Sequence, residues 1–386
     1  MLMKRLQIFV LLVLCLFSSC AVVSELQDDN LANDWTIFRG SPSLCGYSEC
    51  SINSTPKLLW SKTVSTRTVA SPIVFDGMVY TLDRKGKLRS FTENGDSLLV
   101  YDFKTPIEAS FIVNDTILFV GRIDGFVNAL SLKSKRVIWQ YETLGQVSGS
   151  PNLITIDGQP NLLVGSYDGS MYVFDAQKGT KKKQHETGYY INGTAAVWGK
   201  YMVFGGCDTW LRIVDSTTGT TTDSLQLDTY LPASPAILGD IAYEADYNGN
   251  IHEIHIANGR FSQHRKLVST SEDNKNEDSG LVSMPTATRD AVFALTGERY
   301  ISCFERSDGS LRWKKMLRGI TGESSPIVCD DKVIVCTKDG HISLFDTQSG
   351  EELWHYEAGE QIIASPAVVP DRFYILTSRG TLLCFS

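Results

Sequence analysis

Three sets of residues in this chain have side chains that could ligate, react or cross-link. The first is His252-x-x-His255, in the run NIHEIHI at 250–256. On a helix this spacing brings two imidazoles to one side, as a metal site requires. Here apolar and polar residues alternate, so the run reads as a strand and the two rings point to opposite faces. The second set is the acids of the Asp-Gly steps, Asp124, Asp168 and Asp339. A catalytic carboxylate would break a repeat, whereas these recur at one repeat position. That is the behaviour of a turn residue bonding its own backbone. The third set is the cysteines. Cys45 and Cys50 are a candidate disulfide in an oxidising compartment. Cys207, Cys303, Cys329, Cys336 and Cys384 fall in or beside strand runs and read as small buried hydrophobes. No G-x-S-x-G, H-E-x-x-H, Walker or C-x-x-C-H pattern is present. The residues therefore name no catalytic group and no metal site.

The elements that must carry these residues are written as a repeat. Aligned on the third residue of a small-small-Pro opener, the units start at Pro72, Phe111, Pro151, Ala195, Pro235, Pro285, Pro326 and Pro366. Each has a second apolar run (MVYTL at 78–82, KVIVC at 332–336), then a third (SMYVFD at 170–175, HISLFD at 341–346). A Thr/Ser-Gly turn and a fourth run follow, the latter often ending in Trp, as at Trp139, Trp313 and Trp354. Four strands repeated about every 40 residues are the signature of a β-propeller blade. Eight units predict an all-β, eight-bladed propeller of four-stranded antiparallel blades.

The eighth unit stops at Ser386 after three strands. Its missing fourth strand stands at the other end of the chain, as KLLWSKTV at 57–64, with Trp60 at the expected place. The N-terminal strand is therefore expected to join the C-terminal blade and close the ring, which removes a free sheet edge. The four Trp side chains are expected to pack between blades.

Residues 1–19 read as a signal peptide: Lys4 and Arg5, an apolar stretch Leu6–Phe17, then Ser18-Ser19. Cys20 follows directly, as in a bacterial lipobox, although Phe17 stands where Leu is usual. Cys20 is thus the candidate lipidation site and membrane anchor, on a protein exported across the inner membrane to the periplasm or outer membrane. Residues 20–56 divide into a polar tether (21–34) and a pre-blade segment, WTIFRGSPSLCGYS at 35–48, whose aromatic content predicts packing on the ring. The propeller occupies 57–386. One long polar insertion, Ser269–Gly280, reads as a surface loop. The net charge is −8 with no basic stripe, which argues against a nucleic-acid partner.

The W-x-x-F-R-G opener and the blade cores of form D-G-x-φ-x-x-φ-D-x-x-T/S-G resemble the PQQ-like repeat propellers. Within these they are similar to the secreted bacterial members grouped with BamB, the outer-membrane assembly lipoprotein. The resemblance covers residues 35–386. It implies a non-catalytic, secreted or lipid-anchored scaffold that binds a protein partner in the envelope, such as a barrel-assembly complex, with no cofactor. The best-known enzymes with this repeat are quinoprotein alcohol dehydrogenases holding PQQ on the ring axis, so a periplasmic PQQ-dependent dehydrogenase is the second expectation. Such enzymes carry an adjacent Cys-Cys disulfide against the cofactor, and this chain has no Cys-Cys pair. A carbohydrate-binding propeller is a third.

In a four-stranded blade, the loops between strands two and three share one ring face with the links between blades. The repeat alignment assigns Arg122, Tyr167, Trp210, Tyr247 and Arg299 to the loops and Tyr189, Tyr190 and Tyr230 to the links. Tyr, Trp and Arg dominate binding hot spots. The aromatics gather in blades 3 to 5, an asymmetry that the repeat does not require. This sector is the candidate recognition surface, the other reading being that the rings pack between blades and shield the axis.

Overall fold

The apolar runs form strands because they are short, rich in Val, Ile and Phe, and bounded by residues that accept φ > 0. Asp76-Gly77 and Asp157-Gly158 adopt positive φ at both positions, the geometry of a tight hairpin. A computed structural model describes residues 33–64, 67–268 and 283–386. The signal peptide, Cys20, almost all of the tether and the whole Ser269–Gly280 insertion lie outside the described residues.

Eight antiparallel sheets follow one another in chain order. Blades 1 to 7 occupy residues 73–102, 111–142, 152–186, 196–226, 236–268, 286–316 and 327–357. Blade 8 takes three strands from 367–385 and its fourth from Leu58–Thr63, which pairs antiparallel with Thr381–Phe385. Trp60 lies opposite Cys384 in that pairing. The fold class and the closing strand expected from the repeat are both present.

Third strands are almost wholly buried, as in Ser170–Asp175, and fourth strands are mostly exposed, as in Leu58–Thr63. The fourth-strand Trp residues bridge neighbouring blades. Trp139 donates its indole N–H to the Ala176 carbonyl, and Trp313 to that of Thr347. Each lies beneath the Gly of the next blade's last turn: a Cβ on Gly179 would sit 2.5 Å from Trp139, and one on Gly350 2.6 Å from Trp313. The Gly of this turn is thus required by the close approach of the neighbouring indole as well as by its own positive φ.

The opener Ser residues join the blades around the axis. The Ser71 N–H donates to Ser110 Oγ, Thr194 N–H to Ser234 Oγ, Met284 N–H to Ser325 Oγ and Ser325 N–H to Ser365 Oγ. Each first strand lies innermost, and its free edge would leave backbone N–H groups unpaired. These hydroxyls satisfy part of that edge.

The pre-blade segment satisfies much of the rest. Residues 35–51 run across the ends of the first strands and bond to every blade. Trp35 exchanges two backbone bonds with Val74 of blade 1, and Thr36 accepts from Val113 of blade 2. The Pro42 carbonyl accepts from the Asn152 amide of blade 3 and from Val197 of blade 4. Ser43, Cys45, Gly46 and Ser51 accept from Ile237, Ala287, Val328 and Asp371, in blades 5 to 8. The only helix among the described residues is the one-turn 3₁₀ segment Phe38–Gly40 within this stretch. The expected packing on the ring is thus a floor laid across its inner edge.

Arg39 anchors that floor. Its side chain is 1% exposed and donates its hydrogen bonds to acceptors that carry no charge. The guanidinium donates to the carbonyls of Leu44 (2.9 Å) and Pro285 (2.7 Å) and to Thr286 Oγ1 (2.7 Å), with longer bonds to Cys45 and Pro326. Burial pushes its pKa down to about 9, and these acceptors keep the cation tolerable.

The candidate Cys45–Cys50 disulfide is corrected by this path. The two side chains face different blades. Cys45 approaches Ser41 Oγ and packs with Leu238, Ala287 and Phe304 of blades 5 and 6. Cys50 lies in the core of blades 7, 8 and 1, with its sulfur 3.5 Å from that of Cys329. An extended segment spanning several blades carries two nearby cysteines to different neighbours.

Candidate functional site

The loops and links expected to share one face are tied together by backbone bonds. The Tyr167 N–H donates to the Gln146 carbonyl, Cys207 to Tyr190, Tyr247 to Tyr230 and Lys338 to Ile320. Each loop thus hangs on the link that precedes its blade. The floor segment lies toward the opposite ends of the first strands, so among the described residues it does not cover this face.

The recurring turn acids hold the loops in place. Asp168 accepts from Ser170 N–H with one oxygen, and from Leu144 N–H and the Tyr172 hydroxyl with the other. Asp339 accepts from Ile320 N–H, and Asp124 pairs with Arg122 and Thr105. Their capping role matches the turn reading of the repeat.

Two pairs of candidate aromatics meet. Tyr167 and Tyr190 stack with centroids 5.1 Å apart and planes at 21°. Tyr230 and Tyr247 stack at 4.3 Å and 30°. The Tyr230 hydroxyl is pushed up to about 12 by desolvation and by its hydrogen bond and charge interaction with Tyr247. Tyr189 and Tyr190 are 60% and 57% exposed, whereas Tyr167, Trp210, Tyr230 and Tyr247 are half-buried. The two arginines differ. Arg122 is folded back on Asp124, reaches Asn128 and lies over the Phe126 ring. Arg299 is exposed and donates to the Arg318 carbonyl.

Leu144 escaped the sequence reading. It is 92% exposed in the link between blades 2 and 3. Gly145 next to it packs against the backbone of Tyr167 and Asp168, where a Cβ would come within 2.4 Å. Leu144, Tyr189 and Tyr190 are thus exposed apolar side chains of neighbouring links on this face, and Tyr190 stacks on Tyr167. The signal was available: the links read TLGQ (143–146), TGYY (187–190), LDTY (227–230) and LRGI (317–320). In this register an apolar residue stands where the others have Gly, Asp or Arg.

His252 and His255 do point apart, as the strand reading required. His252 Nε2 lies 3.1 Å from Asp246 and its Nδ1 2.9 Å from His264, while His255 meets Glu253. What the sequence did not reveal is that Asp228, Asp246 and His252 each bring one ligand atom within 4.8 Å of the others. Those atoms already have partners. Lys266 pairs with Asp228, and Asn250 and His252 occupy Asp246. The set is a polar bridge between blades 4 and 5.

The axis holds a cavity of about 200 Å³ lined by opener residues such as Ser71, Ser110, Ser150, Ser234, Ser325 and Ser365, with Phe38 of the floor segment. This is where a quinone cofactor of the second expectation would lie. PQQ is a flat tricarboxylate and needs cationic or donor-rich partners and a ring to stack on. The charged residues lining this cavity are Glu108 and Glu323, with no Lys or Arg among them. The residues present do not fit PQQ.

Comparison with known proteins gives a consistent result. The family model described as outer membrane protein assembly factor BamB matches residues 100–299 and 266–386. The protein named outer membrane protein assembly factor BamB of Shewanella oneidensis is 23% identical over 363 residues, covering 85% of this chain and 88% of that one. Among solved structures, BamB from Moraxella catarrhalis superposes with a TM-score of 0.70 at 16% identity, covering 86% of this chain and 98% of that one. A europium-containing methanol dehydrogenase superposes with a TM-score of 0.72 at 13% identity, covering 91% and 90%. At such identities the structural likenesses speak for the fold alone.

Proposed function

Because the chain belongs to the family described as outer membrane protein assembly factor BamB, we propose that it is a non-catalytic scaffold of the cell envelope, exported and lipid-anchored through Cys20. Its ligand is a protein partner engaged in outer-membrane protein assembly. The observation that supports this most directly is that Leu144, Tyr189 and Tyr190 are exposed on the face of the loops and links, with Tyr190 stacked on Tyr167. Large apolar side chains gathered exposed on one face mark interaction surfaces more often than expected by chance. Stacked tyrosines also offer large contact area at low entropic cost. The test is affinity capture from detergent-solubilised envelopes with the full-length chain. Recovery of a barrel-insertion complex, lost when Leu144, Tyr189 and Tyr190 are replaced by alanine, is the expected result. Equal recovery by that variant would refute the assignment of the face.

The second reading, a PQQ-dependent dehydrogenase, draws support from the shared fold and is opposed by the acidic lining of the axis. A thermal shift with PQQ and calcium would speak for it. A glycan panel addresses carbohydrate binding by the same aromatic sector.

A further inference from the structure

The sulfurs of Cys50 and Cys329 lie 3.5 Å apart although 279 residues separate them in the chain. The approach is built into the backbone on both sides. The short strand Tyr47–Ser48 adds to blade 7 in parallel, with Tyr47 opposite Val328 and Ser48 opposite Cys329. The Asp330 N–H then donates to the Ser48 carbonyl, and the Cys50 N–H to Ser48 Oγ. The register thus holds Cys50 beside Cys329. Both side chains are buried, so neither thiol is placed to react with a passing small molecule once the ring has closed. Other thiols are poor competitors. Cys45 faces blades 5 and 6, and Cys336 sits at the far end of the next strand, opposite Ile342.

We propose that Cys50 and Cys329 are joined by a disulfide that fastens the floor segment covalently to blade 7. The bond forms by thiol–disulfide exchange with a disulfide of the glutathione or envelope-oxidoreductase class. One cysteine thiolate attacks the oxidant's disulfide, which gives a mixed disulfide and releases one thiol. The second cysteine attacks the mixed disulfide, the Cys50 Sγ–Cys329 Sγ bond forms, and the oxidant leaves as its dithiol form carrying two electrons and two protons. Exchange takes place while the chain folds, before the pair is covered. The loop it closes is nearly the whole ring, the case in which a cross-link constrains the unfolded chain most. Its formation in the cell rests on the envelope location proposed above; the pairing itself does not.

The test uses the full-length chain, reduced, unfolded and refolded in a buffer of reduced and oxidised glutathione, then mapped by non-reducing peptide mass spectrometry. The expected product is the peptide of Cys50 linked to the peptide of Cys329, still formed in Cys45→Ala. A reductant should lower Tm by about 5 °C in the linked protein and leave the Tm of Cys50→Ala unchanged. Recovery of both cysteines as free thiols after oxidative refolding would overturn the proposal, and so would a Cys45–Cys50 link. The same map is then made on protein taken from acid-quenched cells. The link in cells supports both the pairing and the location. A link that forms on refolding but not in cells leaves the pairing standing and counts against the envelope location.

Discussion

The Ser365 N–H donates to the Oγ of Ser71, 3.0 Å away, and so joins the last blade to the first. Ser71 in turn donates its own N–H to Ser110 Oγ. At this seam the opener chain and the strand Leu58–Thr63 act together, one at the inner edge and one at the outer. Replacing Ser71 by Ala should leave a buried N–H without its acceptor and cost about 1–3 kcal/mol. Urea unfolding of Ser71→Ala against wild type measures it, and an unchanged midpoint would show that the seam rests on the outer strand alone.

The exposed apolar side chains predict a functional loss without a structural one. Leu144, Tyr189 and Tyr190 are exposed and their side chains carry little of the core. The triple alanine variant should lose at least tenfold in partner capture. Its circular dichroism should match wild type, and its stability should fall by no more than about 1 kcal/mol. Capture by the triple variant at the wild-type level would exclude this face.

Arg39 predicts the cost of loosening the floor. Methionine at this position keeps much of the volume but abandons the acceptors at Leu44, Pro285 and Thr286. Several buried carbonyls would then lack donors, and the expected loss is about 3 kcal/mol or more. Limited proteolysis should cut the variant between residues 35 and 51 before any blade. A variant with wild-type stability would mean that backbone bonds hold the floor unaided.

Glu244 predicts a pH dependence. It is fully buried, no side chain among the described residues bonds its carboxylate, and Asp246 and His252 are its charged or titratable neighbours. Burial, with the Asp246 charge, raises its pKa from the ordinary 4.5 to about 8. The folded state therefore binds the proton more tightly than the unfolded one. Its contribution is fully present below pH 4.5, is lost as pH rises toward 8, and then levels off. Within that window the slope approaches about 1 kcal/mol per pH unit. Glu244→Gln removes this dependence. Urea midpoints of wild type and variant at pH 5 and pH 8 should diverge at the higher pH, with the variant more stable. Parallel behaviour would show that Glu244 finds a partner when ionised.

Gly179 predicts a cost of crowding the blade seam. A methyl group there meets the Trp139 ring at 2.5 Å on a backbone with φ of +70°. Gly179→Ala should destabilise by about 1–3 kcal/mol. The Trp139 fluorescence should shift as the indole is displaced. An unshifted spectrum with unchanged stability would show that the turn can open freely.

The eight blades, their strand boundaries and the closing strand were legible in the chain because each is a local pattern repeated. Alternation marks the strands, Asp-Gly and Thr/Ser-Gly mark the turns, and Trp60 stands in register with Trp139, Trp313 and Trp354. The same logic separated His252 from His255 and gave the turn acids their role. It also assigned loops and links to one face, since that follows from antiparallel blades.

The residues that matter most outside the repeat were decided by the closed ring. Leu58–Thr63 pairs with one strand, so its partner could be inferred from what blade 8 lacked. The segment at 35–51 has no repeat to align with, and it bonds to eight blades in turn. Its contacts, including Cys50 beside Cys329 and Arg39 among carbonyls, depend on where eight inner edges converge. That convergence is set by the packing of whole blades around an axis. Hydrophobic periodicity encodes which residues lie in a sheet; how far apart the sheets stand, and what fits across their ends, is fixed only when all of them pack together.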